Sequence, residues 1–66
     1  MFHITADTRY GKESQTAYLP IGALAWADVF RDRGASKIYF RDERQTYTER
    51  DVQLLYDKGK VGGAGR

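Results

Sequence analysis

The stretch YFRDERQTYTERDVQLL, residues 39–55, decides most of the fold that the sequence predicts. Its first half alternates apolar and polar residues on either side of a run of four charged residues, which predicts two short strands joined by a tight turn. Thr48 then precedes Asp51 by three residues, the spacing of a capping box, so we expect a helix to begin at Thr48. This helix is expected to end at Gly59 and to bury three side chains: Val52, Leu55 and Tyr56.

The residues before this stretch predict a hairpin followed by a helix. Residues 2–8 alternate apolar and polar side chains, and residues 15–19 alternate again after a break around Gly11, so these two segments are expected to form a β-hairpin. The next segment, 20–33, begins with proline and is followed by Gly34, which is typical of the start and the end of a helix.

The predicted elements follow the order ββαββα, an α+β fold with an antiparallel sheet and two helices packed on one face. We expect a single compact domain, residues 1–60, and a mobile glycine-rich tail, residues 61–66. A chain of this size buries only about 60% of the surface of its unfolded state. Because the 66 residues include no cysteine, we expect close packing or a bound partner to supply the stability.

One face of the first predicted helix carries Ala23, Trp26, Val29 and Phe30 and is expected to pack on the sheet. Ile21 and Leu24 fall on the charged side of the same helix. Two interpretations are open: a frayed first turn that folds back on the hairpin, or a second interface used by a partner or by a second copy of the chain.

Residue types that carry most catalytic and metal chemistry are scarce. The only histidine, His3, lies on a predicted strand without a second ligand near it in sequence, and no glycine-rich phosphate loop is present. We therefore expect no catalytic, cofactor-binding or metal-binding residues and no enzymatic activity. The adjacent opposite charges in residues 31–33 and 41–44 are expected to form solvent-exposed ion pairs.

Charge and hydropathy predict a soluble cytoplasmic protein. No apolar run approaches the roughly 20 residues of a membrane-spanning helix, and the first residues lack the pattern of a signal peptide. The formal net charge of +2 permits a nucleic-acid partner without requiring one.

The segment RQTYTERDVQLL, residues 44–55, resembles the end of the winged-helix DNA-binding domain of MerR-type regulators, where a wing runs into a Tyr-Thr/Ser-Glu-x-Asp-Val sequence and a helix; phage excisionases share this arrangement more loosely. The resemblance covers residues 37–56 and implies a DNA-contacting wing at 37–48. LPIGALA, residues 19–25, is similar to the opening helix of the family. The chain departs from the family because the 21 residues between Ala25 and Tyr47 are too few for a recognition helix in addition to the wing.

Two functional hypotheses of different classes follow, and both involve a macromolecular partner. The favoured one is a non-catalytic stoichiometric inhibitor or adaptor of the phage and mobile-element type, such as an anti-CRISPR, that docks on a larger protein or nucleoprotein complex. The alternative is a small DNA-binding accessory protein that uses the 37–48 hairpin and the basic tail. The acidic residues beside most of the basic ones favour the first hypothesis.

The candidate partner-binding residues are basic or aromatic and come from the hairpin, the second helix and the tail: Lys37, Tyr39, Arg41, Arg44, Arg50, Lys58 and Lys60. A possible second interface contains Ile21 and Leu24. It belongs to a third interpretation, a homodimeric accessory protein.

Overall fold

The computed structural model describes the backbone of residues 1–64 and the side chains of residues 1–59. Its elements are β1 (Phe2–Thr8), β2 (Gly11–Ala17), α1 (Pro20–Asp32), β3 (Lys37–Arg41), β4 (Thr46–Tyr47) and α2 (Glu49–Ala64). The predicted ββαββα order is therefore confirmed. The α+β fold is confirmed as well, because the four strands form one sheet on which two helices pack.

The sheet has the strand order β2-β1-β3-β4, and every neighbouring pair is antiparallel. β1 lies inside the sheet and pairs with β2 along its whole length, from Phe2 opposite Ala17 to Thr8 opposite Gly11. Its other edge pairs with β3, where Ile4 stands opposite Phe40. Both helices lie on the same face of the sheet, with α1 against β1, β2 and β3 and α2 against β3 and β4.

The core lies between the sheet and the two helices. Eight buried hydrophobic residues form it, and three of them are alanines: Phe2, Ile4, Ala6, Ala23, Ala27, Phe30, Phe40 and Val52. Burial alternates along β1, as the period of a half-buried strand requires. The alanines let α1 approach the sheet closely, but they contribute little apolar area, so few large side chains hold this domain together.

The second strand begins four residues earlier than predicted. The hairpin turns at Arg9 and Tyr10, and Gly11 opens β2 with a φ of 106°, a conformation that favours glycine. The hydroxyl of Thr8 accepts a hydrogen bond from the Tyr10 amide and so supports the turn. The predicted strand at 15–19 overlaps β2 at residues 15–17, but its bounds were wrong because β2 is a polar edge strand whose side chains are mostly exposed, which leaves no apolar alternation to locate its start.

Helix α1 begins and ends close to where the sequence predicts. Pro20 takes the first helical position, so the interpretation of a frayed first turn is wrong. At the other end the amide of Gly34 donates to the Arg31 carbonyl and the amide of Ala35 donates to the Phe30 carbonyl, each at 3.0 Å. These two bonds and the φ of 82° at Gly34 form a Schellman motif.

The buried face of α1 differs from the predicted one at two positions. Ala23, Ala27 and Phe30 are buried and Trp26 is half-buried, whereas Val29 is 42% exposed. Leu24 packs against the core, which corrects its assignment to a second interface.

The predicted capping box at the start of α2 is confirmed. The Asp51 amide donates to the Thr48 hydroxyl, and the Thr48 amide donates to the Asp51 carboxylate, both at 3.1 Å. Val52 is buried as predicted and Tyr56 is half-buried, but Leu55 is exposed.

The end of α2 also differs from the prediction. The helix continues through Gly59 to Ala64, past the predicted domain boundary at residue 60. Gly65 and Arg66, at the end of the predicted tail, lie outside the described residues.

Candidate functional site

The turn between β3 and β4 is organised by Asp42. Its Oδ1 accepts hydrogen bonds from the amides of Arg44 (2.7 Å) and Gln45 (2.9 Å), and its Oδ2 accepts one from the Tyr47 hydroxyl (2.6 Å). These bonds, of which the one from Tyr47 has the largest effect, lower the pKa of Asp42 to about 2. Asp42 therefore shapes the turn and is not an acidic partner of the neighbouring arginines.

Glu43 also points away from the arginines. Its carboxylate accepts a hydrogen bond of 3.2 Å from the Met1 amino group and lies 3.8 Å from Nε2 of His3. Within the described residues, Arg41 and Arg44 form no ion pair. The prediction of ion pairs within residues 41–44 is therefore wrong. Backbone amides and the Tyr47 hydroxyl bind the Asp42 carboxylate, and the Met1 amino group binds that of Glu43.

The two arginines at the C-terminal end of α1, Arg31 in its last turn and Arg33 at its C-cap, each pair with a carboxylate of another element. Arg31 binds Asp28 at 2.8 Å and also Glu49, which links α1 to the first turn of α2. Arg33 binds the carboxylate of Glu13 on β2 at 2.9 Å. Each of these arginines joins separate elements instead of forming the predicted pair within residues 31–33.

The predicted partner-binding residues are divided between two layers. Lys37, Tyr39 and Arg41 alternate along β3 and share the face of the sheet that the helices leave uncovered. Arg44 lies in the β3–β4 turn, while Arg50 and Lys58 lie on α2 behind the sheet. The side chain of Lys60 lies outside the described residues. The structure thus brings three of the seven candidates onto one surface.

We call this surface the open sheet face. The strand register places ten residues on it, all out of phase with the buried positions of β1: His3, Thr5, Asp7, Lys12, Ser14, Thr16, Lys37, Tyr39, Arg41 and Thr46. Among residues 1–64, no element packs against this face. Its members from β2 could not be predicted from the sequence, because the expected strand at 15–19 omitted Lys12 and Ser14.

The helix layer carries an apolar patch where the start of α1 meets α2. Two shallow grooves share Leu55. One groove separates α2 from the start of α1, where Leu19, Pro20 and Ile21 line it. The other runs along α2 past Leu54 to β4. The apolar patch contains Leu19, Pro20, Ile21, Leu54, Leu55, Tyr56 and Gly59. Of the two residues predicted for a second interface, only Ile21 belongs to it.

Leu19 and Leu54 were missed by the sequence interpretation. Leu19 was assigned to a strand, and Leu54 is out of phase with the predicted buried face of α2. Leu54 could have been predicted as an exposed apolar residue, because it lies off the apolar face of an amphipathic helix.

Two chemical features can be stated for the part of the chain that the structure describes. It contains no group of three or more histidine, cysteine, aspartate or glutamate side chains arranged to hold a metal ion. None of its helices is both long and apolar enough to cross a membrane.

Comparison with known proteins finds no match. No protein family model matches the chain, and no curated protein or solved structure is significantly similar to it. Residues 37–56 form a hairpin followed by a helix, the element order that the MerR-type resemblance implies, and their role as a DNA-contacting wing stays a prediction.

Proposed function

We propose that this chain is a non-catalytic binding protein that acts as a stoichiometric inhibitor or adaptor by docking its apolar patch on a larger protein. The observation that carries this proposal is the exposure of four large apolar side chains in one place. Leu19 is 64% exposed, Leu54 56%, Ile21 52% and Leu55 40%. Contiguous apolar surface of this kind marks an interaction site on a small soluble domain.

The small core supports the same proposal. The buried set contains only five side chains larger than alanine, while the apolar patch leaves four others in contact with water. Covering the patch would transfer further apolar area out of water and would stabilise the folded state through binding linkage.

The shape of the apolar patch fits a protein partner. Both grooves are open to solvent and follow the side of α2, which is the geometry in which apolar side chains of a partner helix or ridge insert between exposed leucines. Polar residues border the patch, with Asp51 and Lys58 lining the groove beside Leu54. An apolar centre with a mixed-charge rim is typical of protein interfaces.

The acidic residues of the 41–44 turn do not support this proposal. The sequence favoured protein binding because acidic residues stand beside the arginines of the 41–44 turn. In the structure, Asp42 and Glu43 bind other groups and form no ion pair with these arginines. The apolar patch now supports the proposal, independently of the basic residues.

The test begins with a photoreactive residue, p-benzoylphenylalanine, in place of Leu54 in the cells that produce the protein. The cross-linked protein is identified, purified and titrated with the unmodified chain by calorimetry. We expect a one-to-one complex, and we expect Ile21→Gln and Leu54→Gln each to weaken it by about ten-fold or more.

Val29→Gln is the matched control, because Val29 is an exposed apolar residue of α1 that lines neither groove. Its affinity should stay within about two-fold of that of the unmodified chain. Equal affinities for all three variants would overturn the proposal. Cross-links only between copies of this chain, together with a dimeric mass in light scattering, would overturn it in favour of a homodimer.

A further inference from the structure

The open sheet face carries more positive than negative charge. Its strand positions include Lys12, Lys37 and Arg41 but only one carboxylate, that of Asp7, which stands on β1 opposite both Lys12 and Lys37. Glu43 reaches one end of the face, beside His3. The other carboxylates lie on the helices, on the helix-facing side of β2 or in the β3–β4 turn. The positive charges of this face would therefore attract a polyanion.

These three cations are available to a ligand. Within the described residues, Lys12, Lys37 and Arg41 form no ion pair, in contrast to Arg31 and Arg33. A phosphate group that binds them does not have to break an existing ion pair, although Asp7 is the cross-strand neighbour of both lysines.

Tyr39 adds an aromatic surface between two of the cations. It is 53% exposed and stands opposite Thr5 on β1. Alternate residues of a strand are about 6.8 Å apart on the same face, so Lys37 and Arg41 flank the tyrosine along β3 at that spacing. A base that stacks on the ring would place the phosphates on its two sides near these cations.

The composition of the rest of the face suits the same ligand. Four hydroxyl side chains lie on it, namely Thr5, Ser14, Thr16 and Thr46, and they can donate hydrogen bonds to phosphate or accept them from bases. The face has no large aliphatic side chain, which distinguishes it from the apolar patch.

We infer that the open sheet face binds single-stranded nucleic acid, with one base stacked on Tyr39 and phosphates bound by Lys37, Arg41 and Lys12. A single strand fits better than a duplex, because the bases of a duplex are stacked on one another and do not offer a free face to an aromatic side chain. This site shares Lys37, Tyr39 and Arg41 with the predicted 37–48 wing, but it lies on the sheet surface, extends to Lys12 on β2 and does not include Arg44.

Fluorescence anisotropy with labelled dT12, U12 and a 12-base-pair DNA duplex tests the inference at several salt concentrations. We expect both single strands to bind more tightly than the duplex. Tyr39→Ala should weaken single-strand binding by about five-fold or more, while Tyr39→Phe, which keeps the ring, should bind like the unmodified chain. Removing Lys37 and Arg41 together should reduce the slope of log affinity against log salt by about 1.4, at about 0.7 for each phosphate contact.

Arg50→Ala provides the matched control, because it removes an exposed cation of the helix layer that forms no ion pair with the side chains of residues 1–59. It should leave the affinity within about two-fold. Circular dichroism of every variant separates loss of binding from loss of fold. Leu54→Gln should bind the single strands normally, so this result does not depend on the proposed protein partner.

Three results would overturn the inference. One is the absence of an anisotropy change with either single strand at low salt. Another is an equal loss of affinity in Arg50→Ala and in the variant lacking Lys37 and Arg41, which would indicate non-specific attraction. The third is displacement of dT12 by polyglutamate at equal charge concentration, which would indicate a site for acidic protein segments.

Discussion

The hydroxyl of Tyr47 donates a hydrogen bond of 2.6 Å to Oδ2 of Asp42, and this bond ties the start of α2 to the turn that precedes β4. Tyr47 is the last residue of β4 and stands opposite Phe40, so its ring packs against the core while its hydroxyl reaches the turn. One side chain thus couples the β3–β4 turn to the hydrophobic core.

The first prediction concerns the pH dependence of stability. The pKa of Asp42 is lowered from 3.8 to about 2, so its contribution to stability is fully present above about pH 4 and is lost as the pH falls through about 2. Denaturant unfolding of the unmodified chain and of Asp42→Asn at several pH values measures this contribution. The difference in unfolding free energy should be largest above about pH 4 and should shrink towards pH 2. A difference that does not vary with pH would contradict the assignment.

A second prediction concerns the capping box. Thr48→Ala removes the acceptor of the Asp51 amide and should lower the unfolding free energy by about 1 kcal/mol. Asp51→Ala should have an effect of similar size, and the double variant should lose less than the sum of the two, because both residues belong to one reciprocal pair. Urea unfolding of the four proteins gives the coupling energy. Strict additivity would show that the two bonds act independently.

The third prediction compares neighbouring residues of α1. Phe30→Ala removes a large side chain from the core and should cost about 3–5 kcal/mol, which can unfold a domain of this size. Val29→Ala should change stability by less than about 1 kcal/mol, because Val29 is largely exposed. Thermal melts followed by circular dichroism distinguish the two. Similar melting temperatures for both variants would show that the buried face of the helix is assigned wrongly.

Two glycines should respond to alanine in opposite directions. Gly34 has a φ of 82°, and an added Cβ would lie 2.8 Å from Nε of Arg9, so Gly34→Ala should be destabilising by about 1–2 kcal/mol. Gly59 lies within α2 with no atom near the position of a Cβ, so Gly59→Ala should be stabilising by about 0.5–1 kcal/mol. Denaturant midpoints give the sign of each change. A stabilising Gly34→Ala would contradict the Schellman motif.

The sequence predicted those parts of the fold that depend on local signals. The capping box at Thr48, the proline at the start of α1 and Gly34 after its end each act through the backbone of a few neighbouring residues, so their spacing was sufficient. The alternation of β1 was visible because one of its faces is buried.

Features that depend on contacts between distant residues could not be read from the sequence. The start of β2 follows from its register with β1, since its own side chains are mostly polar. Glu43 stands beside Arg44 in sequence but binds the amino group of Met1, which the fold brings to it. For the same reason, the position of Lys12 on the open sheet face and that of Leu54 in the apolar patch follow only from the three-dimensional arrangement of the strands and helices.

Glu13 has a consequence for how the molecule behaves at high concentration. It lies in the edge strand β2 on the helix-facing side, where its carboxylate accepts a hydrogen bond of 2.7 Å from the Thr8 hydroxyl and binds Arg33. A strand from a second molecule that paired with this edge would cover an inward-facing charge, which disfavours edge-to-edge aggregation. At high concentration this charge therefore disfavours polymerisation of the chain through the β2 edge.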